Sequence, residues 1–228
     1  MRQTLFITGT NTGIGKTVLT ALLAEFLRRR GVCVAALKPV CSGGRDDARI
    51  LHAALGGALA LDEINPWHFR APVAPLLAAR REKKSVKLAA VLAHVRAIQK
   101  RFDVVLVEGA GGLLSPLGED FDSLDLLAAL RATPVIVAPN QLGVVNHVLL
   151  TFEALPAELR PAAEVVLMTP RHPDAATATN ARLLKQWARR TAIFRLPWFG
   201  KNFSAAGVLR EPAVKRTLAA VWRHDFPT

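Results

Sequence analysis

The sequence predicts an α/β fold, a mostly parallel sheet with helices on both faces, and its 228 residues need no more than one domain. Three observations predict it. A glycine-rich stretch, Gly9-Thr10-Asn11-Thr12-Gly13-Ile14-Gly15-Lys16-Thr17, stands between an apolar strand-like run and a helical run. Short aliphatic runs then alternate with segments of helical spacing as far as residues 213–223. Hydrophobic residues make up 51% of the chain and aromatics only 6%, which supplies an aliphatic core for a buried parallel sheet.

The first unit carries the chemistry. Thr4-Leu5-Phe6-Ile7 reads as a short buried strand, and residues 18–30 read as a helix ended by Gly31. Strand, glycine loop, Gly-Lys-Thr and helix together are the setting of a phosphate-binding P-loop, and an accidental Gly-Lys-Thr turn would lack those flanks. The backbone of Gly13, Ile14, Gly15 and Val18 is expected to cradle a triphosphate. Glycine permits close approach and positive φ, and a helix N-terminus adds unpaired N–H donors with a partial positive charge. Lys16 reaches the outer phosphates and the Thr17 hydroxyl is placed to ligate Mg²⁺. Five residues separate Gly9 from Gly15 where the common loop has four, so the loop is a variant.

The remaining elements follow in order. Residues 32–37 form a second buried strand that runs into Lys38-Pro39-Val40-Cys41-Ser42-Gly43. A lysine and a serine leaving a strand beside the phosphate-loop strand lie where open α/β sheets bind ligands. Asp46-Asp47 opens a helix through His52, where a carboxylate caps the helix or meets a metal. Residues 61–81, with Pro66, Pro72 and Pro75, are expected to be a looser segment wrapped over the sheet, in which Trp67, His68 and Phe69 pack rather than bind. Residues 86–101 make an amphipathic helix carrying His94 as a surface or satisfied histidine. The clearest strand, residues 103–107, delivers Glu108-Gly109-Ala110-Gly111-Gly112. An acidic residue at that point suits a Walker-B-type carboxylate near Mg²⁺, and the glycines bring backbone close to a ligand. Helices at 122–130, from 144 and at 177–190 alternate with strands at 134–138, 164–168 and 192–196, the last ending at Pro197-Trp198.

The net charge of +12 raises nucleic acid or an anionic membrane as partners, and neither is expected. The clusters Arg28-Arg29-Arg30, Arg80-Arg81, Lys83-Lys84, Lys100-Arg101 and Arg189-Arg190 fall mostly at ends of predicted helices, where cations oppose the macrodipole. They lack the interleaved aromatics of a nucleic-acid surface. No apolar run approaches the ~18 residues of a membrane span. Strand chemistry by Thr4 leaves no room for a signal peptide, and two cysteines, Cys33 and Cys41, make no disulfide framework. A cytoplasmic protein is the expectation.

Five blocks in order carry a family resemblance: the P-loop stretch 9–17, Lys38-Pro39-Val40-Cys41-Ser42-Gly43, Ile64-Asn65-Pro66, Val107-Glu108-Gly109-Ala110-Gly111-Gly112 and Leu142-Gly143-Val144-Val145-Asn146-His147. The set resembles ATP-dependent dethiobiotin synthetases over residues 4–151. The resemblance implies a single-domain P-loop NTPase fold and a ligase that joins diaminopelargonate and CO₂ (or bicarbonate) at the expense of ATP. It implies catalytic roles for Lys38, Lys16 and Thr12, with Lys38 on the carbamate and the moving phosphoryl group. Substrate contacts are implied for Ser42, Thr12 and Asn146. Nucleotide contacts are implied for Gly13 to Val18, Asp47, Glu108, Gly109, Ala110, Gly111, Pro197 and Trp198, and Mg²⁺ contacts for Thr17, Asp47 and Glu108. A homodimer is implied, with the 142–147 region near the subunit interface.

The chain departs from the family pattern at Asn11, which stands where aspartate is usual, and at Pro139-Asn140-Gln141. The fifth strand exits through Met168-Thr169-Pro170-Arg171-His172 without the asparagine that reads adenine in the family, which leaves the base preference open. Two other readings stand beside this one. Switch ATPases of the chromosome-partitioning and division-site type share the variant loop, but carry a signature lysine where Asn11 stands. A synthetase-like nucleotide-binding protein without catalysis would need neither Lys38 nor Ser42.

Overall fold

The computed structural model describes residues 3–188, 191–200 and 203–224. The chain begins with β1 (Gln3–Gly9), α1 (Lys16–Arg28), β2 (Val34–Leu37), β3 (Val40–Ser42) and α2 (Asp46–Ala54). It continues through α3 (Leu61–Ile64), β4 (Trp67–Phe69), α4 (Pro75–Arg81), α5 (Leu88–Gln99), β5 (Val104–Glu108) and α6 (Ser123–Leu130). The C-terminal part holds β6 (Thr133–Pro139), α7 (Val144–Ala154), β7 (Glu164–Met168), α8 (Asn180–Trp187), β8 (Ala192–Leu196), α9 (Ala205–Val208) and α10 (Pro212–His224).

Six strands pair in the order β2-β5-β1-β6-β7-β8, every pair parallel. Parallel strands need covered crossovers, and right-handed crossovers place helices by the direction in which the chain moves along the sheet. The step from β1 to β2 puts α1 on one face, where it packs with α2, α9 and α10. The steps toward β8 put α5, α6, α7 and α8 on the other, with α5 against α6 and α7 against α8. Both faces being covered, β1, β2, β5 and β6 carry near-continuous buried runs of Val, Leu, Ile and Ala, as sheet strands without a solvent face must.

Local chemistry sets the boundaries. Gly31 (φ +79°) closes α1 with its N–H on Arg28 O and the Val32 N–H on Leu27 O, the paired bonds of a glycine C-terminal motif. Asp122 caps α6, accepting from the N–H groups of Leu124 and Asp125. The helix predicted from 177 instead starts at Asn180, because Asp174 holds Thr177 in a preceding turn. Arg189 and Arg190, the end of that predicted helix and one of the basic clusters, lie outside the described residues.

Two expectations need correction. Residues 61–81 contain α3, β4 and α4, and β4 pairs in parallel with β3 as a separate two-stranded sheet. The run after Lys38 therefore holds a short strand of its own. Proline there limits helix length without forbidding a short strand, and Phe69 supplies the buried side chain that fixes it. Cys33, assigned to the second strand, precedes β2 and is exposed, while Cys41 on β3 is buried. His94 is satisfied: its Nε2 lies 2.7 Å from Glu63 O and its ring meets Trp67 edge-on. Several basic clusters have local partners, Arg28 and Arg29 on buried Glu25, Arg80 on Glu119, and Arg101 on Glu63. Among the described residues no helix is long and apolar enough to cross a membrane.

Candidate active site

The phosphate loop leaves β1, the strand flanked by β5 and β6, and returns as α1. Gly15 is the N-cap of α1 in the left-handed region (φ +100°), and a Cβ there would press on the Met168 side chain at 3.0 Å. The positive φ favours glycine, and the flexible end of Met168 would have to give way to any Cβ. Lys16 is buried and its Nζ donates back to Asn11 O at 2.7 Å, across the loop that the phosphates would enter.

Beside the loop, four side chains from four elements meet. Glu108, the last residue of β5, is fully buried, and its Oε1 accepts from Thr17 Oγ1 and from Lys38 Nζ, each at 2.7 Å. Lys38 is reached directly from β2, and its Nζ also pairs with Asp47, which the first turn of α2 presents. Burial alone would lower the Lys38 pKa, but the Glu108 and Asp47 carboxylates outweigh it and drive it upward. Burial likewise works to raise Asp47, and the Lys38 ammonium prevails and lowers it. Lys16 goes the other way, down to about 8, mainly through burial. Glu108 Oε2 is buried with no partner among the described residues.

That orphaned oxygen, a hydroxyl and a second carboxylate are hard donors on one side of the phosphate loop. Two carboxylates and a threonine, with room for phosphates, fit Mg²⁺, which keeps waters and takes few protein ligands. Among the described residues no group of three or more His, Cys, Asp or Glu is placed to hold a metal ion.

The cluster lies in a cleft of about 1410 Å³ that runs from the phosphate loop to the ends of β7 and β8. Of the predicted residues, Thr12 to Val18, Lys38, Ser42, Asp47, Glu108, Ala110, Gly111, Pro197 and Trp198 line it. Thr12 is exposed at the mouth, and the Ser42 hydroxyl donates to Val73 O. Gly109 does not line it; its N–H donates to Ile7 O, and a Cβ there would meet Phe6 and Ser123. Asn146 is exposed on α7 and stands apart from the cleft of the single chain. Sequence reasoning missed Ser115, whose Oγ accepts the Gly112 N–H, and the far wall with Arg171, His172, Phe199 and Phe203. For Arg171, His172 and Phe199 only their position just after strand ends could have signalled them.

A glycine loop, a Lys-Thr pair opening a helix and an acid ending the next strand define a P-loop nucleotide-binding protein on this parallel sheet. A family model described as an AAA domain matches residues 3–201. In fold the chain is similar to the MinD cell division protein of Aquifex aeolicus, with TM-score 0.58 and 16% identity over 99% of this chain and 98% of that one. In sequence it is similar to the ATP-dependent dethiobiotin synthetase BioD of Anaeromyxobacter dehalogenans (strain 2CP-C), 41% identical over 85% of this chain and 89% of the relative. The synthetase of the same name from Anaeromyxobacter sp. (strain Fw109-5) is 47% identical over 67% and 70%. The chain belongs to the ATP-dependent dethiobiotin synthetase family.

Proposed function

We propose that this chain closes the cyclic urea of dethiobiotin from diaminopelargonate, CO₂ and ATP, as a ligase that forms C–N bonds. The observation that carries the reading is the meeting of Lys38 with Glu108, Asp47 and Thr17 beside the phosphate loop. A simple nucleotide switch has no need of a second buried lysine there. The division-site likeness at 16% identity supports the shared fold alone.

One amine of the substrate adds to CO₂ and loses a proton, giving a carbamate. A carbamate oxygen then attacks the γ-phosphorus as the bond to ADP breaks. The second amine attacks the carbamoyl carbon and gives up a proton to solvent, and phosphate leaves with the ring closed. Catalysis of this kind is positioning and charge compensation. Lys16 and the loop N–H groups of 13–18 hold the phosphates. Lys38 swings from its carboxylates to the carbamate and steadies charge on the moving phosphoryl group. Thr12 and Ser42 orient the diamine, Ser42 through its free lone pairs since its proton is on Val73 O. Thr17, Asp47 and Glu108 would hold Mg²⁺, which when bound supplies neutralisation of phosphate charge. Pro197 and Trp198 border the base. Asn146 and the neighbouring exposed Leu142 and Leu150 suit a homodimer that would bring α7 to the partner's substrate. The chain reads as a single domain acting in the cytoplasm.

The test is phosphate release with Mg-ATP and bicarbonate, with and without diaminopelargonate, alongside mass detection of dethiobiotin. Release that depends on the diamine and yields dethiobiotin is expected. Steady release that ignores the diamine would favour a switch ATPase.

A further inference from the structure

We propose that Asn65 is a positioning residue for Lys38, its side-chain amide holding the corner from which the lysine is aimed. The proposal rests on the assignment of Lys38 to the carbamate. Asn65 is fully buried, outside the cleft, in the turn between α3 and β4. Its Nδ2 donates to Lys38 O at 2.7 Å and more weakly to Pro39 O at 3.5 Å. Its Oδ1 accepts from Cys41 Sγ at 3.2 Å. The amide thus spans the corner by which the chain passes from β2 to β3, the corner that turns the Lys38 side chain toward Glu108.

The main chain around Asn65 reinforces the same corner. Ile64 O accepts the Lys38 N–H at 2.9 Å, and the Trp67 N–H donates to Pro39 O at 3.0 Å. The other end of the Lys38 ion pair is tied in as well. Asn65 O and Leu61 O both accept from Arg45 Nη2, and Arg45 is the N-cap of α2, one turn edge from Asp47. The side chain of Asn65 therefore holds the backbone that launches Lys38, while its main-chain oxygen, which any residue there would supply, meets the arm at the start of the helix presenting Asp47. The buried side-chain amide is costly to remove, because Lys38 O would lose its donor in a dry interior, whereas the Cys41 thiol keeps Gly44 O at 3.1 Å. A lysine has four rotatable bonds and no fixed direction of its own. Its aim has to come from where its Cα is held and from the charges at its tip.

The experiment compares Asn65→Ala and Asn65→Ser in the full chain by three readouts. The first is kcat and KM for dethiobiotin formation, the second the Kd for Mg-ADP, the third acetylation of each lysine by acetic anhydride read by peptide mass spectrometry. Asn65→Ala is expected to lower kcat about 10²-fold, the scale of a misplaced catalytic group. Nucleotide KM and Kd stay close to the parent values, because the phosphate loop makes no contact with Asn65. Lys38 becomes more reactive toward the anhydride while Lys16 does not. Asn65→Ser, which keeps a donor, falls between, and it carries all three readouts if the alanine variant does not fold. Near-normal kcat, or Lys16 and Lys38 gaining reactivity together with loss of Mg-ADP affinity, would overturn the proposal. Absence of dethiobiotin even from the parent protein would sink the synthetase reading instead, and the labelling of Lys38 against Lys16 would still decide the role of Asn65.

Discussion

Lys38 and Glu108 each lie one residue beyond the last pair between β2 and β5, Leu37 opposite Val107, and their side chains meet at 2.7 Å. On parallel neighbours, residues at matched positions project to the same side. The ion pair is thus a product of register, and a slip of one residue between β2 and β5 would turn the two groups to opposite faces.

Truncating this lysine separates chemistry from binding. Lys38→Ala is expected to abolish dethiobiotin formation while Mg-nucleotide affinity stays within about tenfold, since the group serves charge that develops in the transition state. It also strips a buried carboxylate of its countercharge, a loss of about 3–5 kcal/mol in comparable buried pairs, so Tm falls. Product detection, calorimetry and a thermal melt check the three parts. Near-normal turnover would remove Lys38 from the role.

Thr17→Val removes one donor to Glu108 and one proposed metal ligand without changing the side chain's shape. The Mg²⁺ concentration needed for half-maximal turnover is expected to rise about 10–100-fold, the usual scale for disturbed metal sites. A Mg²⁺ titration that matches the parent would mean the metal lies elsewhere.

Lys16 gives a pH signature. Burial is the main cause of its pKa of about 8, the Lys38 charge adds to it, and Glu108 and Asp47 oppose it. Phosphates favour the ammonium, so the bound form has the higher pKa and binding takes up a proton where the free lysine is neutral. Mg-ADP affinity is expected to be level below about pH 7.5 and to fall by up to about tenfold per unit above pH 8. Calorimetry in buffers of different protonation enthalpy should show uptake growing toward one proton per site. A profile flat to high pH would exclude this titration.

The far wall predicts relaxed base selection. It offers Arg171, His172, Trp198 and Phe199, whereas the buried amides of Asn140 and Asn180 bond each other. Stacking faces and cations suit any base, while a site built on fixed hydrogen bonds rejects the wrong partner by about 10⁴-fold or more. Dethiobiotin formation with GTP or CTP is expected within about tenfold of that with ATP in kcat/KM, the range left when stacking dominates. Rejection of GTP on the hydrogen-bonded scale would show a base reader in this wall.

Legibility followed the range of the interaction. The places of the phosphate loop, Lys38 and Glu108 were readable because each is local chemistry at a strand end, where strand pattern and polar residue share one short stretch. The β3–β4 pair was not, since three residues of strand carry no period and their pairing joins segments 27 positions apart, Val40 with Trp67. Asn65 was visible within a motif, but its task was not. Its partners at Lys38, Cys41 and Arg45 are brought to it by the turn of the whole sheet corner. The position of Asn146 relative to the cleft could not be read from a helix-opening motif, because spacing says which face a residue takes and not what that face meets.

The sheet order gives the two ends of the cleft different mechanical standing. β1, which carries the phosphate loop, has two strands on one side and three on the other, whereas β7 and β8, from which the far wall of the cleft continues, form one margin. Amide hydrogens in β1 should therefore exchange only through the rarest openings, and those of β8 through frequent fraying. On the proposed reading, the part of the nucleotide common to all triphosphates would rest on the most persistent framework and the variable part on the most yielding one. Substitutions that redesign base choice would then reach the margin without disturbing the grip.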